Sequence, residues 1–161
     1  MANLKVLDLD KNFVEEVPAP EISLRDGNSV GGISGLEELY LSNNMIATSI
    51  PDELFGRLPH LKNLWLANNR ISSRLPTGLG LLTNLEELDL ETNQFRGSIP
   101  KEIYGLARLH TLYLHDNKLT GTFSPSFSQM TSLKVLDLDT NFITGELPAE
   151  VGLLGQLSEL Q

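Results

Sequence analysis

Seven copies of one phrase, L-x-x-L-x-L-x-x-N, follow one another along this chain, and the last copy ends as LSELQ. The copies start at Leu4, Leu36, Leu61, Leu85, Leu109, Leu133 and Leu157. From Leu61 onward the starts are 24 residues apart, whereas the copy from Leu36 has 25 residues and the copy from Leu4 has 32. A repeat of this length is typical of a solenoid, because each copy buries its apolar face only against its neighbours.

Apolar and polar residues alternate within each phrase, which is the period of a half-buried β-strand. The leucines at positions 4 and 6 recur with further apolar residues at positions 11 and 22 of every copy. These four positions therefore predict one continuous core. Adjacent strands are expected to pair in parallel, about 4.8 Å apart, in the order of the repeats.

After the strands, the copies continue as RISSRLPTGLGLLTN, QFRGSIPKEIYGLAR, KLTGTFSPSFSQMTS and FITGELPAEVGLLGQ. Together with the phrase, these segments resemble the plant-type leucine-rich repeat, which also occurs in stramenopile algae and some bacteria. The resemblance extends over almost the whole chain. It implies an α/β-type solenoid, a right-handed superhelix or horseshoe with a parallel inner β-sheet and short 3-10 or turn segments outside. Residues 1–161 are expected to form a single leucine-rich-repeat domain.

Position 9 of the phrase is asparagine in six copies. A row of amides could grip a ligand, but a structural role is favoured, because a buried Asn amide satisfies backbone groups where the chain leaves a strand. The residues of this predicted ladder are Asn12, Asn44, Asn69, Asn93, Asn117 and Asn141.

The composition narrows the classes of partner. The formal net charge is −9 and the pI is about 4.7, which argues against nucleic acid and favours a basic partner. No apolar run reaches the length of a membrane span. There are no cysteines, and hence no disulfides, no thiolate nucleophile and no sulfur-ligated metal.

Plant-type ectodomains usually carry paired cysteines in terminal caps, and this chain lacks them. We therefore expect a fragment of a longer protein. Localisation stays open: a complete chain would be cytoplasmic, and part of a receptor ectodomain would be extracellular or membrane-tethered. The first copy also contains an insertion within residues 15–35, which is either a tolerated surface loop or a binding loop on the rim.

The sequence gives little support for a catalytic site or a metal-binding site. His60, His110 and His115 match no repeated spacing of nucleophiles or ligands. The segment DLDTNFITGELP superficially resembles a calcium loop, but Phe142 replaces the required Gly and Pro148 replaces the bidentate Glu. We expect no enzyme activity, no catalytic or metal-binding residues and no cofactor.

The strand positions that point away from the core are expected to face solvent, and they carry acidic and aromatic residues. Large rings are not needed there by the fold, and Trp and Tyr are enriched at binding hot spots. The predicted concave-face site consists of Tyr40, Trp65, Asp89, Glu91, Tyr113, His115, Asp137 and Asp139. The sequence therefore predicts a module that recognises a protein or peptide, in a receptor or a scaffold. The alternative is a structural spacer within a longer repeat array, with no ligand of its own.

Overall fold

The computed structural model describes residues 4–17 and 33–161. These two ranges contain ten short strands: β1 (Val6–Asp8), β2 (Glu38–Tyr40), β3 (Asn63–Trp65), β4 (Glu87–Asp89), β5 (Arg96–Gly97), β6 (Thr111–Tyr113), β7 (Lys118–Thr122), β8 (Val135–Asp137), β9 (Phe142–Thr144) and β10 (Glu159–Leu160). Seven of them form one sheet in the order β1-β2-β3-β4-β6-β8-β10, and every pairing is parallel. The predicted parallel sheet, ordered by repeat, is confirmed.

The strands of a second sheet alternate along the chain with the later strands of the first. This second sheet contains β5, β7 and β9, again in parallel. The paired residues of this sheet are 22 positions apart and not 24, since Arg96 lies beside Lys118 and Thr120 lies beside Phe142. The sequence analysis did not predict this sheet.

The segments opposite the first sheet are single short turns. One is α-helical, α1 (Asp52–Phe55), and is preceded by Pro51 in an extended conformation. Among the described residues the others are 3-10 helices, which span Ile33–Gly35, Thr77–Leu81, Lys101–Gly105, Pro125–Gln129 and Ala149–Leu153. A proline also precedes three of these, because its fixed φ suits the entry to a helix and its missing N–H costs nothing there. The short outer segments are confirmed.

The core is one continuous column of apolar side chains between the sheet and the outer turns. Strand leucines such as Leu64, Leu88 and Leu112 are 0 to 1% exposed. Phe95 from position 11 and Leu82 from position 22 join the same cluster with no exposed surface. The predicted shared core is therefore confirmed.

The asparagine ladder is structural, as predicted. Asn93 Nδ2 donates to the carbonyls of Leu66, Leu90 and Glu91 at 2.9, 3.3 and 3.1 Å, and its Oδ1 accepts the Ile71 N–H at 3.1 Å. Two of these partners belong to the preceding copy. Five of the six amides, those of Asn44, Asn69, Asn93, Asn117 and Asn141, thus connect neighbouring copies at the point where the strand ladder stops.

Most of the insertion within residues 15–35 lies outside the described residues. In the described ranges, the helices are all too short to cross a membrane.

Candidate functional site

The inner face is the side of the seven-stranded sheet that points away from the core. In β2, β3, β4 and β6 the central leucine is buried, and its two neighbours are half-buried on the opposite side of the sheet. The register places Tyr40, Trp65, Asp89, Tyr113 and Asp137 side by side on five adjacent strands. Five of the eight predicted site residues therefore form one row, with neighbours about 4.8 Å apart.

Two aromatic residues of this row hold each other in place. The rings of Tyr40 and Trp65 meet edge to face, with centroids 4.8 Å apart and an interplanar angle of 66°. The Tyr40 hydroxyl donates to Glu38 at 2.6 Å and accepts from Asn63 at 3.3 Å. Burial, followed by the hydrogen bond to Glu38, raises the pKa of Tyr40. The rings are half-buried, which corrects the expectation that they face solvent freely.

The aspartates of the row accept hydrogen bonds from the backbone as well as contributing to the surface of the inner face. Oδ1 of Asp89 accepts the Glu91 N–H at 3.1 Å, and Oδ1 of Asp137 accepts the Asp139 N–H at 3.0 Å. The first copy repeats this bond between Asp8 and the N–H two residues later. Aspartate favours such local turns because its short side chain reaches the nearby backbone. The strand pattern predicted solvated carboxylates and did not reveal this role, although the repeated D-L-D and D-L-E phrases were a usable signal.

Asp89 lies at the centre of the row, between two aromatic residues. Its pKa is raised to about 6: burial is the largest cause, the hydrogen bond from the Glu91 N–H lowers the pKa, and the charge of Glu91 raises it. The neighbouring Tyr113 is also affected, since burial and the acidic groups around it raise the pKa of its phenol. A partly desolvated carboxyl group therefore lies between two half-buried rings.

His115 connects acids from the copies on either side. Its Nε2 lies 3.1 Å from Glu91 Oε2, and its Nδ1 lies 3.0 Å from Asp137 Oδ2. The Nδ1 contact lacks hydrogen-bond geometry and is a close approach of the two side chains. Its ring meets Tyr113 edge to face at 6.2 Å and 88°. The structure thus brings a second group of predicted residues together beside the row.

Asp137 is buried, with 7% of its surface exposed, which corrects the expectation of a solvent-facing carboxylate. Its two oxygens are occupied by the Asp139 N–H and by His115. Asp139 is exposed, and its Oδ2 accepts the Thr140 hydroxyl at 3.0 Å. Asp137 can therefore position His115, whereas Asp139 lies at the accessible end of the site.

The arrangement offers binding groups rather than reactive ones. Across residues 4–17 and 33–161, the acidic and histidine side chains form no cluster that could hold a metal ion. His60 is exposed and lines a separate shallow depression with Lys5, Glu37 and Lys62. A flat surface of rings and carboxyl groups suits recognition of another molecule by contact, charge and shape.

Comparison with known proteins agrees with this architecture. A family model described as a leucine-rich repeat region matches residues 29–161. A Leptospira interrogans leucine-rich repeat protein has a TM-score of 0.77 and 38% identity, over 96% of this chain and 36% of that one. No curated protein matches the chain.

Two Arabidopsis thaliana receptor kinases are also similar in structure. The ectodomain of GASSHO1/SCHENGEN3, in complex with CASPARIAN STRIP INTEGRITY FACTOR 2, has a TM-score of 0.76 and 28% identity, over 99% of this chain and 21% of that one. HAESA, in complex with the peptide hormone IDA and the co-receptor SERK1, has a TM-score of 0.69 and 30% identity, over 97% of this chain and 29% of that one. This chain thus spans between about a fifth and just over a third of the length of these three proteins.

Proposed function

Because the chain belongs to the leucine-rich repeat family, we propose that it is a recognition module that binds a protein or peptide on the inner face of its seven-stranded sheet. Binding, rather than catalysis, is the proposed role. The setting is either a receptor-like protein or a scaffold. Two similar receptor ectodomains were solved with a peptide or protein ligand, which supports this class of partner.

The observation that carries the proposal is the order Trp65, Asp89, Tyr113 on three adjacent strands. The strand spacing puts the two aromatic residues about 10 Å apart with the carboxyl group between them. A partner with one basic group between apolar side chains would match this order. Its cation would meet Asp89, and its flanks would contact both rings, where a cation also gains from the ring faces.

The surrounding residues would complete the site. Tyr40 extends the aromatic surface beyond Trp65, since the two rings are already in contact. Glu91 and Asp139 add negative charge, whereas His115 and the buried Asp137 hold Glu91 in position. Preformed contacts of this kind lower the cost of ordering side chains on binding. The net charge of −9 would speed the approach of a basic partner.

The only tryptophan of the chain lies in this row, which provides a direct assay. Synthetic peptides that carry one Arg between two leucines are titrated into the protein, and Trp65 fluorescence is followed. A matched peptide with Glu in place of Arg is the control. We expect a saturable change with the Arg peptide only. Tyr113→Ala should weaken binding by about 2 kcal/mol, because aromatic residues dominate such hot spots.

Asp89→Asn provides the sharpest variant. Asparagine keeps the shape of the side chain and an oxygen that can accept the Glu91 N–H, so the loop after β4 should be preserved. Only the charge is lost. A preference for the Arg peptide that is the same in the parent and in Asp89→Asn would refute the proposed role of this carboxyl group.

The spacer hypothesis has one observation in its favour: Asp89 and Asp137 already bond to the backbone, so their presence does not require a ligand. It predicts that Trp65 fluorescence stays constant with every peptide. A saturable response that Tyr113→Ala removes would exclude it.

A further inference from the structure

The three-stranded sheet of β5, β7 and β9 forms a second surface, here called the flank. Leu119 of β7 is fully buried, whereas its neighbours Lys118 and Thr120 are exposed. The flank is defined by the outward side chains of Arg74, Arg96, Lys118, Thr120 and Phe142. It is distinct from the inner face, which the seven-stranded sheet supplies.

Three cations stand in one row on the flank. Arg74 lies beside Arg96 through a parallel bridge, and Arg96 lies beside Lys118 in the register of β5 and β7. The three residues come from three successive copies, and their backbones are about 4.8 Å apart. Like charges directly opposite one another in a sheet are destabilising. The row therefore lowers the stability of the isolated chain.

Within the described ranges, no carboxylate forms an ion pair with Arg74, Arg96 or Lys118. Lys118 Nζ donates instead to the neutral Gln94 Oε1 at 3.2 Å. The Arg74 side chain lies over Gly97, where a Cβ would be 3.4 Å from its Cγ. Acidic residues outnumber Lys and Arg by 21 to 12, so a shortage of carboxylates does not explain the arrangement.

An exposed aromatic residue adjoins the cations. Phe142 is 64% exposed and pairs with Thr120, which lies two residues after Lys118 on the same side of β7. From strand geometry, Phe142 is about 7 Å along and 5 Å across from Lys118. The flank thus combines a short basic row with one apolar contact point.

We propose that the flank docks an acidic protein segment, with carboxylates against Arg74, Arg96 and Lys118 and one apolar side chain against Phe142. The inner face has the opposite charge, so this second surface would take a different partner, independently of the inner-face function. Charge complementarity supplies the argument. Bound carboxylates would remove the repulsion in the row, and Arg pairs with carboxylates through two parallel hydrogen bonds.

The test uses two fluorescently labelled peptides of alternating Glu and Ser, one of which carries a central Leu. Binding is measured by anisotropy at about 0.1 M salt, where the Debye length is about 10 Å. We expect the parent to bind both, and the Leu peptide more tightly. The double variant Arg96→Glu/Lys118→Glu should lose at least about tenfold in affinity for both. Phe142→Ser should weaken only the Leu peptide.

The matched control is the double variant Lys101→Glu/Lys134→Glu, an equal charge change at two exposed positions outside the flank. Its affinity should fall less than about threefold, since separated exposed charges are largely screened. Circular dichroism and urea midpoints verify that each variant is folded. Tyr113→Ala, on the inner face, should leave binding of these peptides unchanged.

Three outcomes would overturn the proposal. One is no saturable binding of either peptide to the folded parent. Another is an equal loss in Lys101→Glu/Lys134→Glu and in Arg96→Glu/Lys118→Glu, which would mean that only net charge matters. The third is a single-stranded oligonucleotide that binds more tightly than the peptides and shows the same dependence on Arg96 and Lys118, which would assign the flank to nucleic acid.

Discussion

Asn117→Ala tests whether the amide ladder holds the copies together. Asn117 is 6% exposed. Its Oδ1 accepts the Phe95 N–H at 2.9 Å, and its Nδ2 donates to the carbonyls of Leu90, Leu114 and His115 at 3.0, 3.1 and 3.1 Å. Alanine removes all four bonds at once, and their loss is not equally costly.

The three carbonyls keep other donors after the substitution. Leu90 and Leu114 still accept from the amides of Asn93 and Asn141, and His115 accepts the Thr92 N–H at 3.0 Å. The Phe95 N–H loses its sole acceptor in the described part of the chain. One orphaned buried donor costs about 1–3 kcal/mol. We therefore expect Asn117→Ala to lower the free energy of unfolding by about 2–3 kcal/mol, with most of the loss due to the Phe95 N–H.

Urea unfolding, followed by Trp65 fluorescence and circular dichroism, measures this loss. The matched control is Asn12→Ala, which occupies the same ladder position but is exposed and donates only to Leu9 and Asp10. Its cost should stay below about 1 kcal/mol. If the two variants had equal urea midpoints, burial of the Phe95 N–H could not be the source of the ladder's stability.

Three further predictions concern the inner face and its turns. Trp65→Ala should cost about 0.5–1.5 kcal/mol in stability, since it loses the edge contact with Tyr40, and a urea midpoint equal to the parent's would contradict this. The pKa of Asp89 is raised to about 6 in the folded chain, against about 3.9 when unfolded. The folded state then holds more protons between those values, so stability should fall as pH rises from about 4 to about 6 and then level off. Asp89→Asn should flatten this slope in urea titrations across the window. Thr92→Asn should stabilise the chain by about 1 kcal/mol, because Thr92 has φ 49° and Asn68 already occupies the equivalent position at φ 54°; a lower urea midpoint in this variant would contradict it.

The sequence was sufficient for every feature that the 24-residue period dictates. The strand leucines, the asparagine ladder and the outer turns lie where the repeat predicts, because each is needed once per copy to close the same core. Leu88 pairs with Leu64 on one side and Leu112 on the other, at one fixed phrase position. The plant-type resemblance added the short outer 3-10 segments before any contact was known.

The features that escaped prediction do not follow that period. The second sheet pairs residues 22 apart, such as Arg96 and Lys118, so aligned copies do not place the partners in one column. Its alternation is also interrupted by Gly121, which adopts φ 103°. The burial of Asp137 depends on His115 from the copy before it, and such a cross-copy contact has no signal within a single phrase.

The same distinction explains where specificity can reside in this fold. Positions that face the core stay apolar and those of the ladder stay Asn, because a change there leaves a cavity or an unpaired backbone group. The inner-face row and the flank row are free of that constraint, so their residues vary from copy to copy: Trp65, Asp89 and Tyr113 share one row, and Arg96 and Lys118 share another. Because neighbouring strands are about 4.8 Å apart, a bound partner would contact one residue of each successive copy along a row. Two rows of opposite charge on one rigid core would therefore let a short chain distinguish two partners without any movement between its copies.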